Sequence, residues 1–477
     1  MNIDRRACLK LFGQSAAVVG IASFSGCKTL NLANAKYTYQ GQALAIRNRI
    51  IAPSFPDYAM SITELGAKPG FENDSSEAIR QTIAKVVSAG GGTVVVPAGE
   101  FYTGPVHLES NINFHIAKGA VLHFYPEPER YKPYVFTRWE GTELMGLSPL
   151  IYAYKKTNVA ITGKGILEGG GSEQHWWPWK GPWKKSTWGD DPIENQKFTR
   201  DVLREMAEQE LPVAQRVFKN NYLRPPFIQP YACINVLIEG VTIKNSPFWL
   251  VNPVLCKNVT VRNIHCDSHG PNSDGCDPEA CTDVLIENCI FDTGDDCIAI
   301  KSGRNADGRR VGQPCENILI NNCQMRSGHG GVVIGSEISG GVRNLYAQNC
   351  EMSSPDLDRG IRIKTNSIRG GHLKNLNYRD IRIGQVKEAV VINFYYEEGD
   401  VGKFTPVLED INIENLYVEH ATRAFSLRGY PHTPITGVSI KNLTILKVDK
   451  ASIIENVATI KQENIMINGK KVLITNG

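Results

Sequence analysis

Net charge is nearly absent from this sequence, and so are apolar runs long enough to cross a bilayer. The 52 Lys and Arg residues are matched by 49 Asp and Glu, which leaves +3 over 477 residues. That balance supplies no broad electrostatic footprint for nucleic acid or an anionic membrane surface, so neither is expected as a partner. Any attraction for an acidic ligand must be local. The N-terminal apolar stretch, Ala16 to Phe24, is too short to span, and no second span follows it. Core-forming material, by contrast, is ample: 42% of residues are hydrophobic, with Gly and Pro at ordinary levels. A solenoid can hold this length as one domain.

Arg5, Arg6 and Lys10 precede the apolar stretch, and Ser25-Gly26-Cys27 follows it directly. This is the layout of an export signal. Small residues before a cysteine resemble a bacterial lipoprotein cleavage site, and Arg5-Arg6 with Leu9-Lys10 resembles a degenerate twin-arginine signal. Residues 1–27 are therefore expected to be a signal peptide with Cys27 as the lipidated residue, and 28–477 a single domain. The expected location is the periplasm or outer membrane of a Gram-negative bacterium, with membrane contact only through the anchor. A plain secretory signal with an incidental cysteine is the alternative.

From about residue 230 a short phrase recurs: a polar residue, alternating apolar residues, an Asn or Asp, then more alternation. It starts at Asn235, Asn258, Asp283, Asn317, Asn344, Asn375, Asp410 and Gly437, at intervals of 23, 25, 34, 27, 31, 35 and 27 residues. In seven units a second polar residue lies five positions on, at Asn263, Asn288, Asn322, Asn349, Asp380, Asn415 and Asn442. Asn and Asp tolerate the left-handed conformation that joins two strands at a sharp bend. A bend at one phase of every unit, with period-2 alternation between bends, predicts stacked coils of a parallel β-helix. The variable intervals then come from loops on one side.

Cysteines follow the same columns. Cys233, Cys256, Cys281 and Cys315 sit two residues before repeat starts, and Cys289, Cys323 and Cys350 follow the bend Asn. Twelve cysteines in an exported protein ordinarily suggest disulfides, and neighbouring coils are close enough to form them. Their repeat-matched spacing instead favours mostly reduced thiols stacked in a dry interior.

Upstream, Asp74-Ser75-Ser76-Glu77 opens a helical pattern that ends at Gly90-Gly91-Gly92, and Thr93 to Val96 reads as a strand. Such a helix covers the open end of a solenoid. Residues 172–224 break the rhythm: five of the seven tryptophans (Trp176, Trp177, Trp179, Trp183 and Trp188) lead into a helix expected from about Glu194 to Phe218. Packing of the insertion onto the barrel is the commoner role for such aromatics; stacking on sugar rings is the functional alternative.

Four phrases carry chemistry: Asn272-Ser273-Asp274, Gly294-Asp295-Asp296, Gly328-His329-Gly330 and Arg362-Ile363-Lys364. All are expected on the third strand of consecutive coils, so their side chains should share one surface patch. Taken singly, Asp295-Asp296 reads as a polar turn and His329 as a structural hydrogen-bonder. Taken together, three carboxylates, a histidine and two cations fit glycosidic cleavage, which needs an acid for the leaving oxygen and a base for water. Crowded carboxylates push one pKa up, supplying the acid. Arg362 and Lys364 suit a substrate carboxylate.

These four motifs, in this order, resemble the signature of glycoside hydrolase family 28, the polygalacturonases, over roughly residues 60 to 470. The resemblance includes the Gly92-Thr93-Val94 strand and the Asn245-Ser246-Pro247-Phe248-Trp249 coil. It implies inverting hydrolysis of galacturonic-acid polymers, with Asp295 as general acid, Asp274 and Asp296 on the attacking water, and His329 tuning the acid. Arg362, Lys364 and a tyrosine, Tyr395 or Tyr396, are implied to bind substrate. Asn272 and Arg224 complete the candidate substrate-binding set, and no cofactor or metal is expected. For inversion the carboxyl groups are expected ~6.5–9.5 Å apart. Gly330 through Glu337 resembles the bacterial exo-acting branch, in which an inserted segment closes one end of the cleft; 172–224 fits such a barrier. Arg304, Arg309, Arg310 and Arg359 lie near the site in sequence and offer cations for further carboxylates, but taken singly each reads as a solvated surface arginine. The rivals are a rhamnogalacturonan or xylogalacturonan hydrolase, a Ca²⁺-dependent pectate lyase, and a non-catalytic binding scaffold.

Overall fold

All eight repeat starts adopt left-handed backbone, with φ between 55° and 69°, and the seven second positions do so between 53° and 57°. A side chain in that region costs about 1–2 kcal/mol for most residues, which is why Asn recurs there. The computed structural model describes residues 39–183, 195–219 and 221–475. The signal-like segment, Cys27 and Trp188 lie outside the described residues. Residues 43–477 form one unit; of the preceding unit only 39–42 are described, as the first turn of a helix over Tyr39–Arg49.

Between the bends, strands stack in parallel. One aliphatic column runs in register through Val159, Val236, Val259, Val284, Ile318, Leu345, Leu376, Ile411 and Val438. Each of these is buried, so a single residue position per coil builds a continuous core wall. A second wall stacks Thr242–Lys244, His265–Ser268, Ile290–Thr293 and Gln324–Ser327. A third stacks Ile298–Ile300, Val332–Ile334, Arg359–Lys364 and the end of the long strand His372–Asn393. The result is a right-handed parallel β-helix. Side chains of the bend residues form ladders of their own: the Asn258 amide donates to Asn235 at 2.7 Å, Asn344 to Asn317 at 2.9 Å and Asn375 to Asn344 at 2.9 Å.

The helix Ser76–Ser88 buries Ala78, Ile79, Ile83 and Val86 against the start of the core. Its cap differs from the expected box: Ser75 makes no side-chain capping bond, and the Asp74 carboxylate accepts from the Ser76 amide at 2.9 Å. The inserted helix is shorter than expected, Lys197–Glu208 rather than 194 to 218. Glu210 turns left-handed (φ 56°) and Pro212 cannot continue the helical ladder. Ten cysteines are free and buried among the described residues. No described helix is long and apolar enough to cross a membrane.

Candidate active site

The four motifs converge, but three of them lie just ahead of the strand where they were expected. Asp274, Asp295, Asp296 and His329 occupy the bend between the second and third walls, and only Arg362 and Lys364 lie within a strand. The motif glycines explain the displacement. A Cβ on Gly294 would stand 2.2 Å from the Gly270 carbonyl oxygen, and one on Gly328, at φ 139°, would stand 2.1 Å from that of Asp295. Successive bends are pressed backbone to backbone, which lifts the acids out of the strand and gathers them at its mouth.

One carboxylate oxygen from each of Asp274, Asp295 and Asp296 lies within 4.8 Å of the others. This is a distance between the closest oxygens of the cluster, a shorter measure than the ~6.5–9.5 Å between carboxyl groups across the bond that inversion involves. Asp296 is fully buried and doubly held: Arg362 donates to one oxygen at 3.1 Å and Lys364 to the other at 2.7 Å. Asp295 accepts from the Asp296 amide at 2.9 Å and lies 2.9 Å from His329 Nδ1. Burial opposes the charge on Asp295, but His329, Lys364 and Arg362 outweigh it and hold its carboxyl below the ordinary range. The same contest leaves Asp296 lowered by Lys364 and Arg362. Asp295 in turn raises the His329 imidazole above its usual value.

Asp274 has the opposite fate. Burial, with Asp277 and Asp295 nearby, pushes its carboxyl well above the carboxylate range, and Lys301 only partly counters. Asp277, three residues on and fully buried, is raised likewise. Lys301 sits among three carboxylates, 3.8 Å from Asp274, 3.7 Å from Asp277 and 3.2 Å from Glu337, with its ammonium 4.4 Å above the Trp249 ring. Burial and neighbouring charge thus drive Asp274 and Asp277 toward the protonated form, and the flanking cations drive Asp295 and Asp296 toward the ionised form.

Residues 213–465, more than half of the chain, match the model of glycosyl hydrolases family 28. The chain belongs to glycosyl hydrolases family 28. It is 28% identical over 414 residues to a probable polygalacturonase of Vitis vinifera, covering 83% of this chain and 75% of that one. It is 26% identical over 409 residues to an exo-poly-alpha-D-galacturonosidase of Dickeya chrysanthemi, covering 80% of this chain and 65% of that one. The crystal structure of an exopolygalacturonase from Thermotoga maritima superposes with a TM-score of 0.86 at 42% identity, over 90% of this chain and 96% of the other.

In this family 28 site the remaining candidates separate. Tyr396, not Tyr395, faces the cleft, its ring 5.1 Å from the Lys364 ammonium and 5.5 Å from the Arg362 guanidinium. Tyr395 packs against Tyr430 and lies beneath Arg428. Asn272 lines the cleft in left-handed backbone. Arg224, expected on substrate, is a correction: it is fully buried beneath the site. Its guanidinium donates to the carbonyls of Pro247 at 3.0 Å and Pro271 at 2.7 Å and to Asn272 Oδ1 at 2.7 Å. Burial pulls it down to about 9, so it stays charged at neutral pH and braces Asn272 from behind. Arg304 is also no surface residue; it is buried in the cleft wall, bound to Glu337 at 3.3 Å and Glu398 at 2.9 Å. Arg309 stacks 3.5 Å over Phe404, Arg310 pairs with Glu143 and Asp307, and Arg359 with Glu388.

The described tryptophans divide between packing and the cleft wall. Trp176 is buried against Tyr131, Trp179 meets Tyr222, and the Trp177 indole donates to the Ser246 carbonyl at 2.9 Å. Trp183 lines the cleft. Lys301, Asp277 and Trp249 were missed as site residues. A lysine closing the otherwise apolar strand Ile298–Ile300 was the signal that could have found the first of them.

Proposed function

We propose that this protein hydrolyses α-1,4-galacturonosidic bonds of polygalacturonate from a chain end. The observation that carries this is the convergence of Asp274, Asp295 and Asp296 within one 4.8 Å cluster beside Arg362 and Lys364. The exo mode is supported by the 42% identity to an exopolygalacturonase and by the insertion, whose Lys180, Trp183 and Arg200 wall the cleft.

Asp295 is the proton donor in this reading. The protein's own His329, Lys364 and Arg362 keep it ionised. A galacturonate carboxylate docked against Arg362 and Lys364 cancels two of those three charges, which raises the proton affinity of Asp295 while His329 stands 2.9 Å away to deliver the proton. Asp296, ionised, takes the proton of the attacking water, and Asp274, which keeps its own proton, helps to hold that water in place. Asp296 has a cation on each oxygen and full burial, so it suits holding water better than attacking carbon, and inversion follows from water attack. NMR observation of the first-formed anomer tests this, and retention overturns it.

Time-resolved chromatography of unesterified oligogalacturonide digests should show galacturonate monomer as the sole early product; an early ladder of intermediate lengths overturns the exo reading. Activity should persist in excess chelator without a rise in near-ultraviolet absorbance. Asp295→Asn should lower kcat by about 10²–10⁴-fold with unchanged folding. Export with a lipid on Cys27 is proposed from Arg5, Arg6, Ala16–Phe24 and Ser25-Gly26-Cys27. Fatty-acid labelling of the wild type but not Cys27→Ser supports it, and equal labelling refutes it.

A further inference from the structure

Almost every cation around the cleft already has a carboxylate. Arg362 and Lys364 share Asp296, and Lys301 faces Asp274, Asp277 and Glu337. Arg304 pairs with Glu337 and Glu398, and Arg204 with Glu140 at 2.8 Å. Arg200 reaches its chain neighbour Asp201 at 3.1 Å. Lys180 is different. It lines the same cleft of about 270 Å³ as Asp274, Asp295 and His329, yet no carboxylate of the described residues lies within ion-pair distance of it.

Its place is fixed by the chain around it. Lys180 ends the short helical turn Trp177–Lys180, whose first indole is bonded to the Ser246 carbonyl. A Cβ on Gly270 would stand 2.3 Å from the Trp177 ring, so the turn sits hard against the coil that carries Asn272 and Asp274. The Gln196 amide donates to Trp179 O at 2.7 Å, tying the turn to the inserted helix. Burial, with Arg224 close behind, draws the Lys180 ammonium below its ordinary range. An unpaired, half-hidden cation is unfavourable and is relieved by an arriving anion.

We propose that Lys180 binds the carboxylate of the terminal uronic acid, making the insertion a reader of chain-end charge as well as a barrier. This rests on the hydrolase reading above and deepens it. The other cations around the cleft, Arg362 and Lys364 included, each pair with an acid of the protein, whereas Lys180 is committed to none of the described carboxylates. Trp183, lining the same cleft, offers the terminal ring an aromatic face.

The test compares two trisaccharides, trigalacturonate and the same molecule with its non-reducing terminal residue carboxyl-reduced to galactose, on wild type, Lys180→Met and Lys180→Arg. Loss of a charge-assisted bond predicts that Lys180→Met lowers kcat/KM on trigalacturonate by about 10- to 100-fold, mainly through KM. On the reduced trisaccharide the same variant should stay within about 3-fold of wild type, because the interaction is already missing. Lys180→Arg should recover most of the loss. Equal losses on both substrates, or no loss on trigalacturonate, overturn the proposal while leaving the hydrolase reading intact. A wild type that leaves trigalacturonate uncleaved overturns both.

Discussion

His329 and Asp295 behave as one proton-sharing unit, and their pairing makes the site pH-dependent in a definite direction. The imidazole is raised from 6.5 by the Asp295 carboxylate, first through charge and then through the 2.9 Å hydrogen bond. Because the folded value lies above the unfolded one, the contribution of His329 to stability is complete below about pH 6.5. It is lost as pH rises through the raised value. Asp295 is lowered, so its own contribution is present above the carboxylate range and is lost as pH falls through its folded value. Removing the charge should return the imidazole toward its ordinary value: an NMR titration of His329 in Asp295→Asn should give a lower midpoint than in wild type, and an unchanged midpoint defeats the pairing. The residues of this unit were readable from sequence because they come as motifs. Arg224 was misplaced because a cation at the end of an insertion looks the same in sequence whether it faces ligand or supports Asn272 from below. Lys301 was missed because it stands alone, without a phrase around it.

At the scale of the element, the bend is what the sequence states most clearly. A single residue type at a single phase is imposed by left-handed backbone and by the side-chain ladder together, and both requirements leave a mark in the chain. Asn344 shows the two terms. It sits at φ 55°, donates to Asn317 at 2.9 Å and accepts from Asn375 at 2.9 Å. Asn344→Ala removes both bonds and leaves a poorly suited side chain at positive φ, so a loss of about 2 kcal/mol is expected. Asn344→Gly loses the same bonds but fits the backbone, and should be about 1 kcal/mol more stable than the alanine variant. Urea unfolding at equal slope measures both; a glycine variant no better than alanine would show that backbone strain plays no part. Strand phase near the site was harder to read. Gly294 and Gly328 announce close approach, but what they approach lies a full coil away in sequence, and local alternation carries no trace of it. The inserted helix was overextended for a related reason: polar and apolar residues continue at helical spacing past Glu208, and only Glu210 and Pro212 stop the backbone.

Across the whole molecule, stacking decides the chemistry of groups that local sequence leaves ambiguous, and the cysteines are the clearest case. Their spacing allowed either cross-coil disulfides or a dry column of thiols. In the fold, the Cys256, Cys281 and Cys315 thiols point to the carbonyls of Pro230, Pro253 and Pro278 on the preceding coil, at 3.2, 3.2 and 3.6 Å. Each is fully buried, and burial raises Cys256 and Cys315 well above the usual thiol range, so the reactive thiolate is scarce. The wall to which Lys180, Trp183, Arg200 and Arg204 contribute has no such regularity, and its part in the cleft was visible only as a break in the repeat. The column makes a strong prediction. A thiol-specific chromogenic reagent should leave the ten buried cysteines untouched in the native state and titrate all ten once the chain is unfolded, without reductant. Dithiothreitol should then leave the thermal midpoint unchanged, because the described cysteines form no cross-links to break. Each bridge between coils would instead contribute about 2–4 kcal/mol. A midpoint that falls by several degrees on reduction, or fewer than ten thiols released on unfolding, would replace the dry thiol column with covalent staples.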